Sequence, residues 1–270
     1  MAAVLIESDG MSGRITTVKE GAIGWIVFDH PERRNAISVD MWRAIPGAVK
    51  ELSDDEKIRV VVLRGAGEVA FISGADISEF GESRTDDHAA DYEVDTAVAF
   101  LALSQCEKPL LAMVHGYCIG GGVALALTAD VRYAADDASF AIPAARLGLG
   151  YPLPGIESLV SCVGPTAAKE IFFTASRFSA EEALARGLVS EVKPKAKLET
   201  WVRETAARIA ENAPLTIRSV KLAVREVQKS PEARDYAAVA ASVSACFASD
   251  DYREGVTAFL AKRKPEFQGR

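Results

Sequence analysis

Residues 14–30 alternate between polar and apolar positions around a glycine turn at Gly21. Their second half, AIGWIVFDH, is rich in β-branched and aromatic side chains, so the segment predicts a hairpin entering a sheet, ended by Pro31. Ser38 is placed to cap a helix running to about Leu52, and Pro46 within it is expected to kink or shorten that helix. Two apolar runs, Ile58 to Leu63 and Leu110 to Val114, read as buried strands, and each leads through glycines towards a helix. A strand, turn, helix rhythm of this kind predicts an α/β fold with its functional groups at the turns.

Ser179 and Glu182 have the spacing of a capping box, and Gly187 closes the short helix they begin, ahead of the strand-like LVSEVK. Beyond about Lys195 only helical patterns follow: 196–211, 215–228 and an Ala-rich stretch from Ala233 to Ala248. This divides the chain into an α/β part over 1–195 and a helical part over 196–270. Glu82 to Asp91 is polar and charged, a surface loop in a position to lie over a ligand.

The 270 residues suffice to bury a large core, and a net charge of −7 spread along the chain gives no footprint for nucleic acid. Cys106, Cys118, Cys162 and Cys246 lack metal-ligand spacing, which fits a reducing cytoplasm. The apolar start is too short for a signal peptide, and no run reaches the ~18 to 20 apolar residues that span a bilayer, so neither secretion nor membrane insertion is expected.

The chemistry gathers at two glycine turns. In HGYCIGGGVALALTAD, Gly120, Gly121 and Gly122 fall between a strand and an Ala/Leu helix. There they either point backbone amides outward from a helix N-terminus or only let helix and strand approach closely. The spacing lacks the third glycine of a dinucleotide fingerprint, and no metal, flavin or nicotinamide is expected. AFISGADISEF has a similar shape around Gly74, Ala75 and Asp76. If the turns converge, two N–H groups can hold one developing oxyanion, each typically contributing roughly 3 kcal/mol in the transition state.

These residues resemble the enoyl-CoA hydratase/isomerase, or crotonase, superfamily over nearly the whole chain. HPERRNAIS is similar to its early CoA-binding segment, FISGADISEF to its first oxyanion turn and VHGYCIGGGVALALTADVRYAADDASFA to its second. RFSAEEALARGLVSEV, APLTIRSVK and FLAKRKPEF match its closing features. The resemblance implies a spiral of ββα units with a helical C-terminal trimerisation region, assembled as a homotrimer or dimer of trimers. It implies oxyanion-hole amides at Ala75 and Gly121, with Arg33, Arg34, Ala36, Ser73, Asp76 and Ile77 lining the CoA region and Phe259 and Lys262 completing it from another subunit. Coenzyme A enters as part of the substrate.

The chain also departs from that pattern. Where two-glutamate hydratases carry their carboxylates, it has Ala124 and Ala144, and a methyl group can neither orient water nor transfer a proton. The segment AARLGLGYPLPGIESL brings Tyr151, Pro152 and Pro154 towards the expected acyl pocket. Three substitutes suggest themselves: Glu157 as a base or merely a dipole-stabilising cap, Tyr151 as a proton donor or an aromatic wall, and His115 as a proton carrier or a strand-end residue bonded to backbone. Asp76 and Glu79, at a helix start, default to capping. The resulting expectation is an enzyme that polarises an acyl-CoA thioester and completes a lyase, isomerase or hydrolase reaction. The competing expectation is an acyl-CoA-binding protein that has lost its chemistry.

Overall fold

The computed structural model describes residues 13–76 and 89–270. The predicted hairpin forms as β1 (Arg14–Glu20) and β2 (Ile23–Asp29), antiparallel in register from Arg14 opposite Asp29 to Glu20 opposite Ile23, with Gly21 at φ 58° in the turn. The helix α1 (Val39–Asp54) follows, and the Ser38 hydroxyl accepts the Met41 N–H at its start. Contrary to the sequence expectation, Pro46 does not shorten α1, which runs 16 residues. Met41, Trp42, Ile45, Ala48, Val49 and Leu52 form a buried stripe at helical spacing, and that packing holds the helix across the one N–H that proline lacks.

Three ββα units then wind around one another. In the first, β3 (Val60–Gly65) is followed by β4 (Ala70–Ile72) and α2 (Ala89–Ser104). The second is β5 (Leu110–Val114), β6 (Tyr117–Ile119) and α3 (Gly121–Thr128). The third is β7 (Val131–Ala135), β8 (Ser139–Ala141) and α4 (Leu153–Thr174). The remaining elements are β9 (Phe178–Ser179), α5 (Ala180–Ala185), β10 (Glu191–Lys193), α6 (Lys195–Ala210), α7 (Pro214–Val227), α8 (Tyr236–Ala248) and α9 (Asp250–Leu260). The capping box of Ser179 and Glu182 is present at α5.

The first strand of each unit joins a six-stranded sheet of order β1-β2-β3-β5-β7-β10, and the second joins a four-stranded sheet, β4-β6-β8-β9. Each chain crossing between sheets is tight. At Gly116 (φ 55°), between β5 and β6, an added Cβ would fall 1.9 Å from the Val69 carbonyl oxygen, so only glycine fits.

Alternation along β3 splits the core as a period of two requires: Val61 and Leu63 face the cluster shared with α1, α2 and α3, while Val60 and Val62 face outward. The outward face is covered by Leu198, Val202 and Ala206 of α6. The helical portion after residue 195 therefore begins with a helix that seals the main sheet, and only α7 to α9 extend beyond it. Among the described residues, no helix is long and apolar enough to cross a membrane, and all four cysteines are free.

Candidate functional site

β4 and β6 are parallel neighbours, so the turns that leave their C-terminal ends lie side by side. The first turn is held in place by the segment after β2. Ile37 donates to the Gly74 carbonyl at 2.9 Å, and the Asp76 N–H donates to the Ile37 carbonyl at 2.9 Å, an isolated parallel bridge centred on Ala75. Since amides alternate along extended chain, the N–H of Ala75 points away from Ile37. Ser73 adds two bonds to the same segment, its N–H to the Arg34 carbonyl and its hydroxyl to the Arg33 carbonyl, both at 3.1 Å.

That bracing segment is itself unusual. Arg34 and Asn35 both adopt left-handed backbone, at φ 54° and 56°, a conformation that costs energy in residues with a Cβ unless the surroundings fix it. Asn35 supplies the fixing. Its side-chain amide donates to the Ala66 and Ala70 carbonyls at 2.9 and 2.8 Å, and its side-chain oxygen accepts the His30 N–H.

The second turn is set by Gly120, at φ 53° and ψ −111°, which donates to the Ala141 carbonyl at 2.8 Å. The Ala124 N–H makes the first bond of the α3 ladder, to the Gly120 carbonyl, so the N–H of Gly121 lies ahead of the ladder without an intrahelical acceptor. Gly122 packs so closely on β4 that a Cβ there would lie 2.3 Å from the Ile72 carbonyl oxygen. A Cβ on Gly121, by contrast, would lie 3.7 Å from the Ala75 nitrogen, 3.9 Å from the Gly74 carbonyl carbon and 3.9 Å from Cζ2 of Trp42. The Ala75 and Gly121 backbones thus stand next to one another at the positive end of a helix, the arrangement that stabilises an oxyanion.

Of the expected CoA-lining residues, Arg33, Arg34, Ala36, Ser73 and Asp76 do come together along this edge. Arg33 pairs with Asp76 at 3.3 Å, and Asp76 is buried. The Arg34 guanidinium lies over the Tyr117 ring, 5.0 Å from its centre, with Arg177 at 5.2 Å from the same ring. Ala36 is buried, its carbonyl 2.9 Å from Nδ1 of His30. Ile77 and Glu79 lie outside the described residues, as does most of the Glu82 to Asp91 stretch, whose last residues open α2. Phe259 and Lys262 sit at the far end of α9, with Phe259 82% exposed.

The acid-base candidates are scattered. His115 is buried in the turn between β5 and β6, at the end of β6 opposite Gly121, where burial foremost and Arg64 next lower its pKa. Glu157 lies just beyond the first turn of α4 with its side chain exposed, so it does not act as the first-turn cap considered above. Tyr151 packs edge-on to Phe172, ring centres 4.8 Å apart, in space left by Gly155, and burial pushes its phenol up to about 12. A phenol with that pKa can donate a proton or hydrogen bond at neutral pH and is not a base. Ala144 is buried in a 3-10 turn, Pro143–Arg146, and Ala124 is half-buried on α3.

Sequence reasoning passed over Asn35, Ile37 and Trp42. An asparagine directly before the apolar start of a helix is a signal for left-handed backbone and could have pointed to the first. Trp42 reads in sequence only as one member of an apolar stripe.

The family model for enoyl-CoA hydratase/isomerase matches residues 18–270. The short-chain-enoyl-CoA hydratase of Clostridium acetobutylicum is 33% identical over 248 residues, covering 92% of this chain and 95% of that protein. The carnitinyl-CoA dehydratase of Escherichia coli O157:H7 is 33% identical over 264 residues, covering 96% and 100%. Among solved structures, an enoyl-CoA hydratase/isomerase family protein from Hyphomonas neptunium is 37% identical, with a TM-score of 0.90 over 95% of this chain and 98% of that one. An enoyl-CoA hydratase/carnithine racemase from Magnetospirillum magneticum is 35% identical, with a TM-score of 0.89 over 95% and 96%.

Proposed function

The chain belongs to the enoyl-CoA hydratase/isomerase family, and from that premise we propose that it binds an acyl-CoA thioester and stabilises the enolate oxygen formed on its carbonyl with the N–H groups of Ala75 and Gly121. The observation that carries this reading is the adjacency of those two backbones, 3.7 Å from the Ala75 nitrogen to a Cβ position on Gly121. The braced turns fix both donors before substrate arrives, so little reorganisation is spent when charge develops on the oxygen. The arginine edge formed by Arg33 and Arg34 suits the phosphates of coenzyme A, because a guanidinium fork pairs with phosphate oxygens.

The lyase class is favoured by relatives named as hydratases and a dehydratase. Ala124 and Ala144 stand where resemblance would supply acid-base carboxylates, so proton transfer falls to water, with the neutral Tyr151 phenol available only as a donor. A second reading, an acyl-CoA-binding protein without turnover, draws on those same two alanines. Mass spectrometry of purified protein incubated with crotonyl-CoA and longer enoyl-CoA thioesters separates the two. Gain of one water by any enoyl thioester supports the lyase reading. Tight binding with every thioester recovered unchanged overturns it in favour of the binding reading.

A further inference from the structure

His30, directly after β2, is 2% exposed, and its side chain is tightly enclosed: a Cβ on Gly13 would fall 2.6 Å from His30 Cγ and 2.6 Å from Met41 Sδ. Its Nδ1 lies 2.9 Å from the Ala36 carbonyl oxygen, and because a carbonyl can only accept, Nδ1 carries the proton. Nε2 makes no hydrogen bond among the described residues and stands 3.6 Å from a Glu32 carboxylate oxygen, so the hydrogen bond of the ring goes to Ala36. The Ala36 carbonyl and the Ile37 N–H are the two ends of one planar peptide, and that N–H donates to the Gly74 carbonyl at 2.9 Å. The Gly74 carbonyl in turn shares its peptide with the N–H of Ala75. In a trans peptide the C=O and N–H point in opposite directions, so aiming one aims the other. The imidazole, two peptide groups and the Ala75 amide therefore form one chain of hydrogen bonds.

We infer that His30 is a positioning residue for the reaction: through the Ala36–Ile37 and Gly74–Ala75 peptides it aims the Ala75 N–H and strengthens it as a donor. The inference rests on the reading of Ala75 and Gly121 as the amides that stabilise an enolate oxygen. The intervening segment needs such a hold, because Arg34 and Asn35 are both in left-handed backbone just before it. Asn35 anchors its own residue to the Ala66 and Ala70 carbonyls and to the His30 N–H, and none of these bonds reaches the Ala36–Ile37 peptide. Among the described residues, His30 is the side chain that does. Each bond in a chain of this kind polarises the next, so a donor at one end improves the donor at the other. Nδ1 donates in the neutral Nδ1–H form and in the imidazolium alike, so the hold does not depend on the protonation state of the ring.

The test is α-deuterium incorporation into butyryl-CoA in deuterated water, measured over a range of thioester concentrations for the wild type, His30→Asn and His30→Gln. Asparagine carries its amide where histidine carries Nδ1, and glutamine carries it one carbon farther out, near the place of Nε2. His30→Gln is expected to lower the maximal rate roughly tenfold or more with KM changed less than about twofold, while His30→Asn keeps at least about a third of the wild-type rate. A role in packing alone predicts the reverse order, since asparagine leaves the larger cavity. Equal rates in all three proteins, or His30→Asn no faster than His30→Gln, overturns the inference while leaving the oxyanion reading intact. A wild type that exchanges nothing overturns the oxyanion reading and this inference with it. Should the variants not fold, proton signals of the wild type decide. When butyryl-CoA engages the Ala75 N–H, the Ile37 N–H and the His30 Nδ1–H should both move downfield, and a His30 signal that stays in place overturns the inference.

Discussion

Three consecutive glycines carry three separate tasks, and the space around each tells them apart. Gly120 supplies a left-handed turn, Gly122 a close approach, and Gly121 neither, since its backbone is ordinary and a Cβ there meets nothing nearer than 3.7 Å among the described residues. Gly122→Ala would drive a methyl group to 2.3 Å from a backbone oxygen, so thermal unfolding should show a loss of about 1 to 3 kcal/mol or more. Gly121→Ala should keep the wild-type melting temperature within a degree or two, because alanine is a better helix residue and no clash opposes it. Its methyl group nevertheless stands between the two amides and the indole, so turnover should fall by roughly a hundredfold, the order of effect of losing one oxyanion donor. In the sequence, GGG offered anion binding and close packing as alternatives. The spacing to Ile72 gives close packing to Gly122, and the spacing to Ala75 attaches the anion-binding role proposed above to Gly121.

At the scale of elements, the strand and helix order was legible because β3 and β5 are continuous apolar runs and α5 carries a complete capping box. The persistence of α1 through Pro46 was not, because the decision belongs to packing of its buried stripe and not to local propensity. Nor could the sequence assign α6 to the main sheet, since its apolar face gains meaning only from the outward side of β3. The chain after α9 is a further element defined by contacts. Glu254 accepts from Arg263 at 2.6 and 2.7 Å and from the Glu266 N–H at 2.9 Å, while Asp251 accepts the N–H groups of Gln268 and Gly269. The bond from Arg263 foremost, then that from Glu266, lowers the Glu254 pKa to about 2. A carboxylate depressed in this way stabilises the fold above its ordinary value near 4.5 and loses that contribution as pH falls towards 2. The protection of the last eight residues against hydrogen exchange, relative to the unstructured chain at the same pH, should therefore fall between pH 4.5 and 2 in the wild type. In Glu254→Gln it should already be low at neutral pH.

Over the whole molecule, the two sheets serve one end: they bring the C-terminal ends of β4 and β6 together so that backbone, not side chains, builds the site. In the function proposed above, a site made of amides does not depend on carboxylates at 124 and 144, and the adjacency of Ala75 and Gly121 stands beside alanines at both positions. It also explains why the turns were legible as motifs while the acid-base partners were not. Glycine spacing is written in the sequence, whereas the position of His115 at the wrong end of β6 and the exposure of Glu157 emerge only from the winding of the units. The exposed apolar side chains of the C-terminal helices, Val224 on α7, Phe247 on α8 and Phe259 on α9, present the kind of surface that a subunit interface covers. The most direct test of the central claim is exchange of the α-hydrogen of butyryl-CoA, followed by mass in deuterated water with the wild-type protein and with Gly121→Ala. The account predicts one or two deuterium atoms gained with the wild type at a rate reduced roughly a hundredfold in the variant. Equal exchange by both proteins, or none by a wild type that binds the thioester tightly, would contradict it.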